Sequence, residues 1–83
     1  MLKTILKKST ILQEYVGELK ITYQNDFLEV MNYKKIISIY EKEVVLEKII
    51  IEGDNLKIFY QDPVTIKVKG KITSVIAKME HGI

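Results

Sequence analysis

The stretch GDNLKIFYQDPVTIKVKGKITSV, residues 53–75, decides the fold of this chain. In its first part the pattern sets Leu56, Ile58 and Tyr60 on one side against Lys57 and Phe59 on the other. Its second part repeats the pattern, with Val64, Ile66, Val68 and Ile72 against Thr65, Lys67, Lys69 and Lys71. A period of two is typical of strands with one face in a core and the other in water. The stretch therefore predicts β-structure.

The size and composition of the chain indicate one small folded domain. It has 83 residues, 47% of them hydrophobic and many of these Ile or Val, which favour strands. There is no cysteine, so no disulfide supports the fold, and the chain suits a reducing compartment. The N-terminal residues are interrupted by Lys3, Lys7 and Lys8, so they lack the apolar core of a secretory signal. These features predict a cytoplasmic protein.

The charge of the chain is weak and its basic residues are all of one type. The net charge is +2, with 13 lysines, no arginine and 11 acidic residues. Arginine is the usual residue for bidentate contacts to guanine or phosphate. The composition therefore argues against sequence-specific recognition of nucleic acid, and we expect no nucleic-acid partner.

Residues 1–16 differ from the rest and allow two interpretations. Their apolar residues fall on helical spacing, at Leu2, Ile5, Leu6, Leu12 and Val16. One interpretation is a short amphipathic helix that packs over its own sheet, or that rests on a membrane surface or a partner. The other is an arm whose last part, Ile11–Val16, joins the sheet. We divide the chain into this arm, a β-domain over residues 17–78 and a tail over residues 79–83.

From residue 17 onward, turn residues separate seven or eight short apolar segments. Connections this short predict an antiparallel meander, because parallel strands need longer crossovers. Such a sheet must cover its apolar face, so we predict an all-β sandwich or roll. The motif Gly53-Asp54-Asn55 predicts a turn between two strands. Gly70 interrupts the alternation in place, which predicts a bulge or bend within one strand.

The residues that carry chemistry are few. The single histidine, His81, lies near the C-terminus, and the three serines have no recognisable partner base. With one histidine and no cysteine, a zinc-type site has no ligand set. The acidic residues Glu52, Asp54 and Asp62 fit turns better than a calcium loop. We therefore predict no catalytic residues, no metal site and no cofactor.

Two features point to binding. Lys57, Lys67, Lys69 and Lys71 fall on the polar side of neighbouring strands and form a candidate face for an anionic partner, which is nucleic acid, a membrane surface or an acidic protein. The alternative, which we favour, is that these lysines keep an exposed sheet face soluble. Only Phe59 stands among them as an aromatic residue. Consecutive apolar residues at Ile36–Ile37 and Ile49–Ile51 indicate strands covered on both faces, which favours self-association or a protein partner.

The residues Phe27–Ala77 resemble the YabP/YqfC family of sporulation proteins. The resemblance rests on a first motif formed by Leu28, Val30, Asn32, Tyr33, Lys34 and Ile36. It continues with Gly53, Asn55, Leu56 and Ile58, and ends with Ile66, Val68, Gly70, Ile72, Ser74 and Val75. It implies a non-enzymatic protein of the mother cell, acting in spore formation or envelope assembly at the forespore membrane. Asn32, Gly53, Asn55 and Gly70 carry over only as fold-defining positions.

Overall fold

The computed structural model describes residues 2–4, 11–24 and 27–78, and all of its regular structure is β-strand. The strands are β1 (Leu2–Thr4), β2 (Ile11–Val16), β3 (Leu19–Gln24), β4 (Phe27–Met31), β5 (Ile36–Ile39), β6 (Glu43–Leu46), β7 (Ile49–Gln61) and β8 (Thr65–Lys78). Every pairing is antiparallel. The predicted all-β antiparallel class is confirmed. Within these residues, no helix is both long enough and apolar enough to cross a membrane.

The sheet consists of two meanders joined through β8. Its strand order is β2-β3-β4-β8-β7-β6-β5, and β1 also pairs with β8. Strands β4 and β5 follow each other in the chain but are not neighbours, because β4 pairs with β8 instead. At the end of β4, Asn32 takes a positive φ of 68° and its amide donates to the carbonyl of Val64 at 2.6 Å. This contact directs the chain away from β4 before β5 begins.

The long hairpin of β7 and β8 connects the two halves of the sheet. These strands have 13 and 14 residues, whereas the others have three to six. One end of the hairpin pairs with β4, and the other end pairs with β6 and β1. Both halves of the sheet contribute to a single core, which contains Leu19, Ile21, Leu28, Val30, Val44, Leu46, Ile49, Ile51, Leu56, Ile66, Val68, Ile72 and Val75. The long sheet therefore curls around one apolar interior, as the predicted sandwich or roll requires.

Two β-bulges near the middle of the hairpin change which residues face the core. In β8, Thr73 is an extra residue between the pairs Glu52–Ser74 and Gly53–Ile72. In β7, an extra residue lies between Asp54 and Lys57, where Asn55 takes a φ of 54°. Each extra residue reverses the inward alternation of its strand. As a result, β7 buries Ile49 and Ile51 before the bulge and Leu56 after it, and β8 buries Ile66, Val68 and Ile72 before the bulge and Val75 and Ala77 after it.

Two glycines allow the strands to approach at this bend. A Cβ on Gly53 would lie 2.0 Å from the carbonyl oxygen of Lys71. Gly70 has a φ of 130°, and a Cβ there would lie 2.6 Å from the carbonyl oxygen of Asn55. The predicted turn at residues 53–55 is wrong, because β7 runs through it without reversing. The physical reason is that a bulge uses the same left-handed and glycine conformations as a turn. The bend predicted at Gly70 within a continuous strand is confirmed.

The N-terminal segment joins the sheet where it is described. Leu2–Thr4 pairs with β8 and Ile11–Val16 pairs with β3, so the helical interpretation is wrong for these residues. The interpretation in which Ile11–Val16 joins the sheet is confirmed. The edges of β3 and β8 offer backbone partners, and β-branched Thr4 and Ile11 favour extended chain. The rest of the predicted helix, residues 5–10, and the predicted tail over residues 79–83 lie outside the described residues.

Candidate functional site

The four lysines predicted as an anionic-partner face come together on the outer side of the sheet. Ile66 and Val68 of β8 are fully buried, so the alternate residues Lys67, Lys69 and Lys71 face away from the core. Lys57 of β7 lies directly opposite Lys69. Lys57, Lys69 and Lys71 are exposed, and Lys67 is half-buried. Regular strand geometry on both sides of the bend thus gathers the lysines on the two central strands.

Three aromatic side chains lie among these lysines. Phe27 of β4 is opposite Lys69, and Tyr60 of β7 is opposite Lys67. The Nζ of Lys67 lies 5.1 Å from the ring centre of Tyr60 and 5.7 Å from that of Phe27. The Nζ of Lys69 lies 5.7 Å from the ring centre of Phe59, which meets Phe27 edge to face at 5.4 Å. We call this surface the lysine–aromatic face; its members are Phe27, Lys57, Phe59, Tyr60, Lys67, Lys69 and Lys71.

The sequence interpretation missed two of these aromatic residues. It left Phe59 as the only ring among the lysines, and it placed Tyr60 on the buried side with Leu56 and Ile58. Phe59 is an extra residue in a further bulge of β7, which moves Tyr60 to the outer side, where it is 44% exposed. Val64, also predicted to face inward, is 51% exposed because it lies in the turn before β8. The contribution of Phe27 depends on the pairing of β4 with β8, which no local pattern reveals.

Among the described residues, carboxylates are unevenly distributed around the lysines of the lysine–aromatic face. Lys67 is 3.9 Å from Glu29. Asp54, the register partner of Lys71, instead forms an ion pair with Lys42 at 3.1 Å. Among the described residues, no carboxylate forms an ion pair with Lys57, Lys69 or Lys71. Like charges directly opposite each other destabilise a sheet, so the Lys57–Lys69 pair opposes folding unless an anion is bound.

Asp62 organises the turn at one end of this face. Its Oδ1 accepts hydrogen bonds from the amides of Val64 at 2.9 Å and Thr65 at 2.7 Å. The hydroxyl of Tyr60 donates to its Oδ2 at 2.6 Å. The hydrogen bond from Tyr60, followed by the one from Val64, lowers the pKa of the Asp62 carboxyl. The same contact raises the pKa of Tyr60. Asp62 therefore fixes both the turn and the position of the Tyr60 ring.

We expect the Asp62 turn to make stability fall in acid. A carboxyl whose pKa is lower in the folded state stabilises the fold above its unfolded pKa, and this contribution is lost as the pH falls through the folded value. For Asp62 that window lies below about pH 4. Thermal melts at a series of pH values should show a smaller acid-induced drop in Tm for Asp62→Asn than for the unsubstituted protein. An identical drop in both would show that Asp62 is not responsible.

The remaining fold-defining position, Asn32, links the β2–β3 turn to the β7–β8 turn, beside Asp62. Its side-chain amide donates to the carbonyl of Glu18 at 3.1 Å, while its backbone amide bonds to Val64. Near it, a shallow pocket of about 250 Å³ is lined by Gly17, Glu18, Leu19, Asn32, Lys34 and Lys48. This lining contains a single carboxylate. In the described part of the chain, no three side chains of the His, Cys, Asp or Glu types group closely enough to hold a metal ion.

A second surface is apolar and lies at the β5 end of the sheet. Ile37 is 52% exposed, Ile39 is 50% exposed and Tyr40 is 64% exposed. Strand β5 is the last strand in the sheet order, so its free hydrogen-bonding edge has no neighbouring strand among the described residues. We call these three residues the apolar edge. The consecutive apolar residues Ile36 and Ile37 were predicted to indicate a strand covered on both faces. In the structure, Ile37 is exposed to solvent.

Comparisons with protein-family models, with curated proteins and with solved structures found no match for this chain. The resemblance to sporulation proteins therefore stays a prediction.

Proposed function

We propose that this protein is a non-enzymatic interaction module that assembles with another protein through the apolar edge. One observation carries the proposal, which is the exposure of three large apolar side chains within four consecutive residues. Isolated exposed apolar residues are common, but three within one short segment at a sheet edge favour a contact surface. Burial of Ile37, Ile39 and Tyr40 in a complex would remove this group from water.

The shape of β5 indicates how the contact forms. Its register with β6 shifts between Ile36 and Ser38, which makes Ile37 a bulged residue. Bulges in edge strands disfavour the addition of a further strand. We therefore propose that the partner packs on the side chains of Ile37, Ile39 and Tyr40, and that it does not extend the sheet by backbone hydrogen bonds.

The proposed setting of this assembly is spore formation, in the mother cell. The support is the resemblance of Phe27–Ala77 to the YabP/YqfC family, in which the shared residues define the fold and none is catalytic. Genes for spore formation beside this one would support the setting. A neighbourhood of phage or toxin genes would contradict it.

Charged substitutions on the apolar edge should abolish association without unfolding the protein. We expect the double variant Ile37→Asp/Ile39→Asp to lose the self-association or the specific partner shown by the unsubstituted protein, because a carboxylate cannot enter an apolar contact without a large desolvation cost. Sedimentation velocity over a range of concentrations measures self-association, and affinity capture from sporulating cells measures a partner.

The matched control is Val64→Asp, since Val64 is 51% exposed but lies in the β7–β8 turn. Thermal melting separates a loss of contact from a loss of folding. The proposal fails if the unsubstituted protein is monomeric at every concentration and captures nothing specific. It also fails if Val64→Asp and the double variant weaken association equally.

A further inference from the structure

We propose that the lysine–aromatic face binds single-stranded nucleic acid, with backbone phosphates at Lys57, Lys69 and Lys71 and bases stacked on Phe59 and Tyr60. This site does not include the apolar edge and does not depend on the function proposed for it. It also departs from the expectation, based on composition, that nucleic acid is not a partner.

The lysine arrangement provides a compact positive site. Lys57 and Lys69 face each other across neighbouring strands, which places their Cβ atoms about 5 Å apart. Lys71 follows Lys69 by two residues along β8, just beyond the bend at Gly70, and adds a third ammonium group to the site. An anion between them converts a like-charge repulsion into three attractive pairs. A chain of phosphates satisfies several ammonium groups at once, whereas a single small anion does not.

The exposed rings favour nucleic acid over other polyanions. Phe59 is 45% exposed and Tyr60 is 44% exposed, so their rings remain available beside the lysines. Every base has a flat face that stacks on such rings, and positively charged grooves with aromatic platforms are how proteins hold single strands. An acidic peptide has carboxylates but need not have a flat ring to offer. The bases of a duplex are already stacked on each other, so they cannot use Phe59 and Tyr60.

The acidic residues nearby define the orientation of the site. Glu29 lies beside Lys67, and Asp62 holds the hydroxyl of Tyr60. Both carboxylates are at the Lys67 end. At the other end Asp54 is the register partner of Lys71, but its carboxylate pairs with Lys42 at 3.1 Å. The phosphates therefore bind near Lys57, Lys69 and Lys71. The absence of arginine means that no bidentate contact to a base edge is available from a guanidinium group. Binding should therefore depend little on base sequence.

The direct test is fluorescence anisotropy with a labelled oligothymidylate of about 15 nucleotides, within the range that one small β-platform covers. We expect saturable binding whose log K falls with log salt concentration at a slope of about −2, as three released counterions require. Between about 50 and 200 mM salt, affinity should fall about twentyfold. A matching oligouridylate shows whether the face distinguishes DNA from RNA, and binding of either one supports the proposal.

Two variants separate charge from stacking. Replacing Lys57, Lys69 and Lys71 together by glutamine should abolish the salt-dependent binding. Replacing Lys34, Lys35 and Lys48 by glutamine changes the net charge equally outside the face and should leave binding intact. Phe59→Leu keeps an apolar contact with Phe27 but removes the ring, and should weaken binding between about fivefold and about a hundredfold. Circular dichroism and thermal melting confirm that each variant is folded.

Several results would overturn the proposal. One is no binding to either oligonucleotide at low salt. Another is equal binding to a duplex of the same length, to polyglutamate or to vesicles containing acidic phospholipid, since any of these would show that the rings are not used. Unchanged affinity in folded Phe59→Leu would exclude base stacking at this face.

Discussion

Replacing Gly53 by alanine should unfold the protein or destabilise it by more than about 4 kcal/mol, a loss seen only for exceptional single substitutions. The added Cβ would lie 2.0 Å from the carbonyl oxygen of Lys71, where no real Cβ can stay. That oxygen belongs to the backbone of the neighbouring strand, so relief requires β7 and β8 to separate at the bend. A domain of this size has about 4–12 kcal/mol of total stability. Urea unfolding followed by circular dichroism measures the difference.

The matched control is Gly17→Ala. Gly17 also has a positive φ, of 60°, but a Cβ added there would meet no atom within 4 Å. Only the strain of a left-handed alanine remains at this position, which is about 1–2 kcal/mol. If Gly53→Ala is no more destabilising than Gly17→Ala, the close approach of the two strands at Gly53 is incorrect.

Replacing Ile66 by alanine should cost about 2–5 kcal/mol, the usual range for truncation of a buried isoleucine. Ile66 is fully buried, and its strand has a neighbour on each side, with Val30 and Gln61 as register partners. Neighbours held in two hydrogen-bonded ladders cannot easily collapse into the cavity, because their backbones are fixed. We therefore expect a value in the upper half of that range, measured by urea unfolding at neutral pH.

The control for this substitution is Ile39→Ala, which removes the same atoms from a side chain that is 50% exposed. Its expected effect on stability is small, within about 0.5–1 kcal/mol, because much of its surface is in water already. The description of the core would be contradicted by two equal losses, or by a larger loss for Ile39→Ala.

The sequence allowed prediction of the elements but not of their partners. Alternation over Ile66, Val68 and the lysines between them identifies β8, because inward and outward positions differ in chemistry along one strand. The turn predicted at Gly53-Asp54-Asn55 was wrong, because the backbone conformations that make a turn also make a bulge. The pairing of β4 with β8 depends on contacts between distant segments, and no local spacing contains that information.

The lysines of the candidate site could be predicted from local alternation, but two of its aromatic residues could not. Lys67, Lys69 and Lys71 share a face by alternation alone, and Lys57 joins them because β7 and β8 form a hairpin. The exposed position of Tyr60 depends on one extra residue, Phe59, whose bulge has no glycine or proline to signal it. Phe27 enters the site through the long-range β4–β8 pairing. Aromatic residues brought in by register could not be found from the local pattern.

The joint between β4 and β8 has a consequence for how the chain folds. These two strands pair directly, for example at Leu28 and Val68, but β5, β6 and β7 all lie between them along the chain. The loop-closure entropy of this joint must be lost before its contacts form, whereas the β7–β8 hairpin closes locally. During synthesis, β2, β3 and β4 would leave the ribosome before β8, so their apolar sides would stay exposed until β8 is available. Their protection until β8 is synthesised would fall to chaperones, so the yield of folded protein should depend on translation speed.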